Sequence, residues 1–161
     1  MSFIHGKNAP YVTVACMAAA VILASCGSSK EKNAQAMEQL PLLSSSEELD
    51  SLSAAAENQM LVLDFYADWC GPCRVLAPTI DGLAAEYKEK ARFFRVNVDK
   101  SPSLSRDFGV RGIPYIVFMK NGQVVYVLTG VHPGETYKKV LDFCSNDASA
   151  DECVRKLNEK M

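Results

Sequence analysis

No run of basic residues, no internal repeat and no low-complexity tract marks this 161-residue chain. Its formal net charge of −2 supplies no positive field for a polyanion, so nucleic acid is excluded as a natural partner. Histidine is scarce: of His5 and His132, only the second lies beyond the N-terminal segment. A cysteine hydrolase needs an imidazole beside its thiol, and nothing in the sequence places His132 beside a cysteine. Long apolar runs are missing too, since the best of them, Tyr11 to Ala24, falls short of the about 20 residues of a comfortable membrane span. What is there, 48% hydrophobic and 22% charged residues, suffices for one globular domain with short appendages.

The short apolar run follows His5 and Lys7 and ends in Leu23-Ala24-Ser25-Cys26, the arrangement of an export signal. Leu-Ala-Ser-Cys resembles a bacterial lipobox, in which a peptidase cuts before the cysteine and lipid is attached to its sulfur. Residues 1–25 are therefore read as a lipoprotein signal peptide, with Cys26 as the lipidated first mature residue and a lipid anchor to the membrane. A soluble secreted protein cut elsewhere and an uncleaved anchor helix are the alternatives, and every one of these routes puts the domain outside the cytoplasm. A bacterial periplasm is the expected location. Residues 26–39, polar and free of aromatics, read as a tether.

The chemistry-bearing stretch is Trp69-Cys70-Gly71-Pro72-Cys73. Before it, Met60 to Ala67 is short, apolar and aromatic, as a buried strand is. After it, Leu76, Ile80, Leu83, Ala84 and Tyr87 recur at near-helical spacing. The two thiols thus sit where a strand hands over to a helix, at the positive end of the peptide dipoles. With Cys70 as the capping residue, the missing N–H of Pro72 costs no hydrogen bond, and the Cys70 sulfur is placed to accept from the Cys73 N–H. Such surroundings lower a thiol pKa from about 8.5 into a range of roughly 3.5 to 7.5. Cys70 is the expected nucleophile. Cys73, one turn further in, is expected to be the less exposed, resolving thiol.

A lone Cys-x-x-Cys is weak, because zinc sites share the spacing. Here Asp64-Phe65-Tyr66-Ala67-Asp68-Trp69-Cys70-Gly71-Pro72-Cys73, Ala77-Pro78, Val110-Arg111-Gly112-Ile113-Pro114 and Lys120-Asn121-Gly122 follow in order, and together they closely resemble the thioredoxin family over roughly Leu40 to Phe143. The resemblance implies an α/β thioredoxin fold, a central mixed sheet flanked by helices on both faces. It divides the chain into a thioredoxin domain at 40–144 and a C-terminal extension at 145–161. It implies that Asp64 is the buried acid exchanging the resolving thiol's proton through water, with Arg95 where the family often has a lysine. It implies a cis peptide at Ile113-Pro114. Trp69, Gly112, Ile113, Pro114, Gly130 and Val131 would then form the substrate-docking rim. The alternatives are an edge-strand aspartate facing solvent for Asp64 and a core aromatic for Trp69, although the position of Trp69 directly before Cys70 favours partial exposure. Without the resemblance the Pro114 bond reads as trans, since only about 5–6% of such bonds are cis.

Local signals complete the outline. Leu40-Pro41-Leu42-Leu43 suits a brief edge strand, and Ser44-Ser45-Ser46 before Glu47-Glu48 offers a helix cap above the stripe Leu49, Leu52, Ala56. Arg92 to Val98 reads as a strand, Ser101-Pro102 opens a short helix, Lys120-Asn121-Gly122 joins a hairpin, and a last helix runs from about Pro133 to Phe143. Cys144 and Cys153 lie beyond the resemblance. In an oxidising compartment they are most simply a structural disulfide, and the alternative is a second redox pair relaying electrons with Cys70 and Cys73. A four-cysteine zinc site would need two close pairs, and this second pair is too widely spaced. No metal or other cofactor is expected.

The expected activity is thiol-disulfide oxidoreduction in service of redox homeostasis. The Gly71-Pro72 pair, by resemblance, favours reduction over the oxidase or isomerase chemistry of the same fold, whose members usually carry histidine there. The expected partners are disulfide-containing protein substrates and a membrane electron-donor protein, with the chain itself a monomer. A non-catalytic lipoprotein with permanent disulfides is the remaining alternative.

Overall fold

The computed structural model describes residues 40–56, 58–146 and 149–160. The leader at 1–25, Cys26 and the tether at 26–39 lie outside the described residues. The first helix of the described chain, α1 (Ser46–Ala55), is capped. The Ser45 hydroxyl accepts the Glu48 N–H at 3.2 Å, and the Glu48 carboxylate accepts the Ser44 N–H at 3.1 Å. Two otherwise orphaned donors are satisfied, with the return bond one residue further back than in the usual box. There follow β1 (Met60–Tyr66), α2 (Gly71–Glu86), β2 (Ala91–Asn97), α3 (Pro102–Asp107), β3 (Tyr115–Lys120), β4 (Gln123–Thr129), α4 (Gly134–Ser145) and α5 (Ala150–Lys160).

The sheet runs β2-β1-β3-β4. The β1–β2 pair is parallel and the other two pairs are antiparallel, which makes the sheet mixed, as expected. Residues 41–43 extend it past β2: the Leu43 N–H reaches the Arg95 carbonyl at 2.8 Å, and the Arg95 N–H reaches the Pro41 carbonyl at 2.9 Å. Pro41 serves there only as acceptor, the one ladder role open to it. At the β3–β4 turn Asn121 and Gly122 have φ of 50° and 75°. Both central residues of this two-residue loop are left-handed, which matches the right-handed twist of the strands it joins.

Helices cover both faces. Val62, Ile116 and Phe118 meet Leu76, Ile80 and Leu83 of α2 and Val140 and Leu141 of α4. On the other face Leu61, Leu63, Phe65 and Val117 meet Leu49 of α1 and Leu104 of α3. With both faces dry, β2 is not cleanly alternating in burial. The stretch beyond residue 144 is no loose appendage: Ala150, Cys153 and Leu157 of α5 join the core under α2 and α4. The helix expected to end at Phe143 continues to Ser145, which carries Cys144 into its buried face.

The topology gathers one end of the sheet into a site. Phe65 near the end of β1 lies opposite Tyr115 at the start of β3, which lies opposite Thr129 at the end of β4. The β1–α2 turn, the segment before β3 and the segment after β4 therefore converge.

Candidate functional site

The β1–α2 turn closes with the Cys70 N–H on the Ala67 carbonyl at 3.1 Å. Cys70 then caps α2, its Sγ accepting the Cys73 N–H at 3.1 Å. The two cysteines form a disulfide with a Cα–Cα distance of 5.3 Å. The expectation that Cys73 is the more sheltered of the two needs correction: Cys70 is 3% and Cys73 7% exposed. Joined to each other, both sit under Tyr66, Val98 and Ile113. What separates them is the capping hydrogen bond, which an emerging Cys70 thiolate would receive at the positive end of α2.

The peptide bond Ile113–Pro114 is cis. Ile113 packs on the cysteines, and the Pro114 carbonyl accepts the Gly130 N–H at 2.8 Å, tying the β4–α4 loop to the site. Gly130 holds φ of 84°, where a Cβ would be strained. Exposed around this cluster are Gly112, Val131 and, at 69%, Trp69. Trp69 is therefore no core aromatic. Its indole N–H donates to Asp99 Oδ2 at 2.9 Å, and the Asp99 turn is itself held by Asn97 Oδ1, which accepts the N–H groups of Asp99 and Lys100. Asp68 is exposed, and its backbone carbonyl accepts from Arg74.

Asp64 lies on the central strand, not an edge, and is 5% exposed. Strand register sets it opposite Arg95. The Arg95 Nε stands 3.5 Å from Asp64 Oδ2, while its Nη2 donates to Asp81 Oδ1 of α2 at 2.8 Å. Asp64 Oδ1 is buried without a hydrogen-bond partner. Burial is the largest influence on this carboxyl and pushes its pKa up to about 6, against the opposing pull of Arg95. Tyr137 of α4 senses the same charge. Its phenol, raised in pKa first by burial, accepts the His132 N–H at 3.2 Å and so braces the loop carrying Val131.

Sequence reasoning missed Asp81, Asp99, Tyr137 and Val75. Val75 is 71% exposed on α2, and as an apolar residue off the Leu76-Ile80-Leu83 stripe it was the one with a visible signal.

A second disulfide joins Cys144 of α4 to Cys153 of α5, each 0% exposed. Lys120, at 1% exposure, donates to the Cys144 carbonyl at 2.8 Å. Lys120 pairs with Met60, the end of β1 remote from Cys70. The second disulfide is thus tied to the end of the sheet remote from the first. In this fold each of these four cysteines is bonded within its own pair.

A cysteine pair on a helix cap, covered by a cis-proline segment at one end of a mixed sheet, defines a thiol-disulfide oxidoreductase domain. The family model described as Thioredoxin matches residues 42–142. The chain belongs to the thioredoxin family. It is 38% identical over 92 residues to Thioredoxin-T of Drosophila melanogaster, covering 57% of this chain and 59% of that protein. It is 39% identical over 82 residues to Thioredoxin 1 of Synechococcus elongatus, covering 51% and 77%. It is also 41% identical over 93 residues to the chloroplastic M-type thioredoxin of Pisum sativum, covering 58% and 54%. The chain thus spans little more than half of the fly and pea relatives. Among solved structures, a mutant thioredoxin from Halobacterium salinarum superposes with a TM-score of 0.60 at 31% identity, covering 68% of this chain and 95% of that one. Oxidised mitochondrial thioredoxin 3 of Saccharomyces cerevisiae gives 0.59 at 32%, covering 66% and 97%.

Proposed function

We propose that the protein reduces disulfides in other proteins, acting outside the cytoplasm from a lipid anchor on Cys26. The observation that carries the catalytic reading is the Cys73 N–H aimed at Cys70 Sγ on the cap of α2, beside Ile113 and Pro114. In the reduced protein the Cys70 thiolate attacks one sulfur of a substrate disulfide and displaces the other as a thiolate. The Cys73 thiol gives its proton to the Asp64 carboxylate through water. Its thiolate then attacks Cys70 Sγ, breaks the mixed disulfide and releases the second substrate thiolate. Two electrons have passed to the substrate, and the Cys70–Cys73 disulfide remains for a donor to reopen. Trp69, Gly112, Gly130 and Val131 form the rim on which an extended substrate segment rests, and the backbone of Ile113 offers it a pairing edge. Gly71 and Pro72 add no charge that would stabilise the thiolate and turn the pair into a strong oxidant. Cys144–Cys153 is structural.

The lipidated reading is supported by Leu23-Ala24-Ser25-Cys26. Export in turn calls for a membrane protein as electron donor, because no soluble NADPH-fed reductase is expected there. The test is Cys73→Ser in the domain from residue 40 onward, reduced and then mixed with a disulfide-containing protein. It is expected to accumulate a mixed disulfide with that substrate while Cys70→Ser accumulates none. Equal trapping by both variants refutes the assignment. Mass spectrometry of the full chain expressed in bacteria, with a diacylglycerol adduct on Cys26 as the expected result, tests the anchor.

A further inference from the structure

The row Asp64–Arg95–Asp81 is only half used by the reaction above. An arginine facing a single carboxylate commonly engages it with two parallel N–H donors. Such a fork on Asp64 would hold it as a fixed anion, a poor acceptor for a thiol proton. That is not what the structure contains. Arg95 gives its short contact, 2.8 Å, to Asp81 and comes no closer to Asp64 than 3.5 Å, from Nε, beyond good hydrogen-bond range. One cation is shared by two carboxylates, and Asp64 Oδ1 stays buried and unpartnered. The other neighbours of Asp64 do not alter this. Ile116 on β3 is apolar, and Tyr137 from α4 is a neutral phenol whose own bonds go to the His132 N–H and the Gly130 carbonyl.

We propose that Asp81 is a positioning residue for the proton step, drawing the Arg95 fork to itself so that Asp64 keeps one oxygen free to exchange a proton with the resolving thiol. The inference rests on the oxidoreductase reading, and on an arginine at position 95: its branched head reaches both acids at once, whereas a lysine offers a single point charge.

The experiment reads the titration of Asp64 directly, by carbon-detected NMR of the oxidised protein, in the wild type, Asp81→Asn, Arg95→Gln and the double variant. Asp81→Ser replaces Asp81→Asn if the latter does not fold, and thermal unfolding reports that. In Asp81→Asn the Arg95 fork is expected to close on Asp64, so that its proton affinity falls about tenfold or more from the wild-type midpoint near pH 6. The acid limb of the insulin-reduction profile is expected to move the same way. In the Arg95→Gln background the same Asp81 change is expected to move the midpoint less than half as far. An unchanged midpoint overturns the proposal, and so does an upward shift, which would mean that Asp81 holds Arg95 onto Asp64. Equal shifts in the two backgrounds overturn it as well, since Asp81 would then act by its own charge. Loss of insulin reduction in the wild type would overturn the oxidoreductase reading while leaving the NMR comparison intact.

Discussion

Replacing Asp64 by asparagine is expected to make the domain more stable at neutral pH, and the size of the gain follows from the burial of this one carboxyl. In the unfolded chain Asp64 titrates near 3.8, and in the folded protein near 6. The folded state therefore binds the proton more tightly, and folding is disfavoured once the group must ionise in place. Below about pH 3.8 both states are protonated and no penalty exists. Stability is then lost progressively as pH rises to about 6, and the full loss persists above that. A difference of about 2 pKa units corresponds to about 3 kcal/mol. Asparagine keeps the shape, needs no ionisation, and leaves Arg95 its bond to Asp81. Urea unfolding of the oxidised proteins from pH 4 to pH 8 measures this. The two stability curves are expected to run close together at pH 4 and to part by about 3 kcal/mol at pH 7, roughly 10 °C in Tm for a domain of this size. A gap that does not change with pH, or an asparagine variant weaker than wild type at pH 7, refutes the burial argument. On the mechanism proposed above, the gain is expected to come with slower release of the mixed disulfide, since Cys73 would lose its proton acceptor.

Two further outcomes follow from the site and its surroundings. Cys144→Ser/Cys153→Ser is expected to leave insulin reduction within about twofold of wild type. It is expected to lower stability by about 2.5 kcal/mol, the loop-closure value for a separation of nine, as read by urea unfolding at fixed redox state. Asp99→Ala removes the acceptor of the Trp69 indole N–H and frees the ring to turn. It is expected to raise KM for a protein substrate several-fold with kcat held, the size of one lost side-chain hydrogen bond of about 1 kcal/mol, while a fall in kcat alone would refute a docking role for that ring.

Much of the fold and site is legible in the residues because the signals are local. Cys70, Gly71, Pro72 and Cys73 specify a helix cap by their own chemistry, Asn121-Gly122 specifies a two-residue turn, and Ser45 with Glu48 specifies a helix start. Asp64 stands out as an anomaly in an apolar strand, and its opposition to Arg95 follows from the resemblance. Sequence-distant partners are what local signals do not carry. Arg95 and Asp81 are 14 residues apart, Lys120 and Cys144 24, Trp69 and Asp99 30. Nothing near any of these residues announces its partner. The end of α4 escapes for a related reason: no glycine or proline follows Phe143, and the helix runs on until Asn146. The shelter of the active-site cysteines comes with a cluster that joins them to Ala67 and packs against Tyr66, Val98 and Ile113, a tertiary fact with no local signature.

The two sulfur pairs meet solvent very differently. Cys70 is flanked in sequence by exposed Trp69 and leads within two residues to exposed Pro72, whereas Cys144 and Cys153 face each other between α4 and α5 with no accessible surface. Counted by number alone, the two disulfides among the described residues would store four electrons. On the function proposed above, only Cys70–Cys73 exchanges them, which leaves one port and a capacity of two, so that each encounter with a donor would deliver a single complete charge and each substrate bond would discharge it.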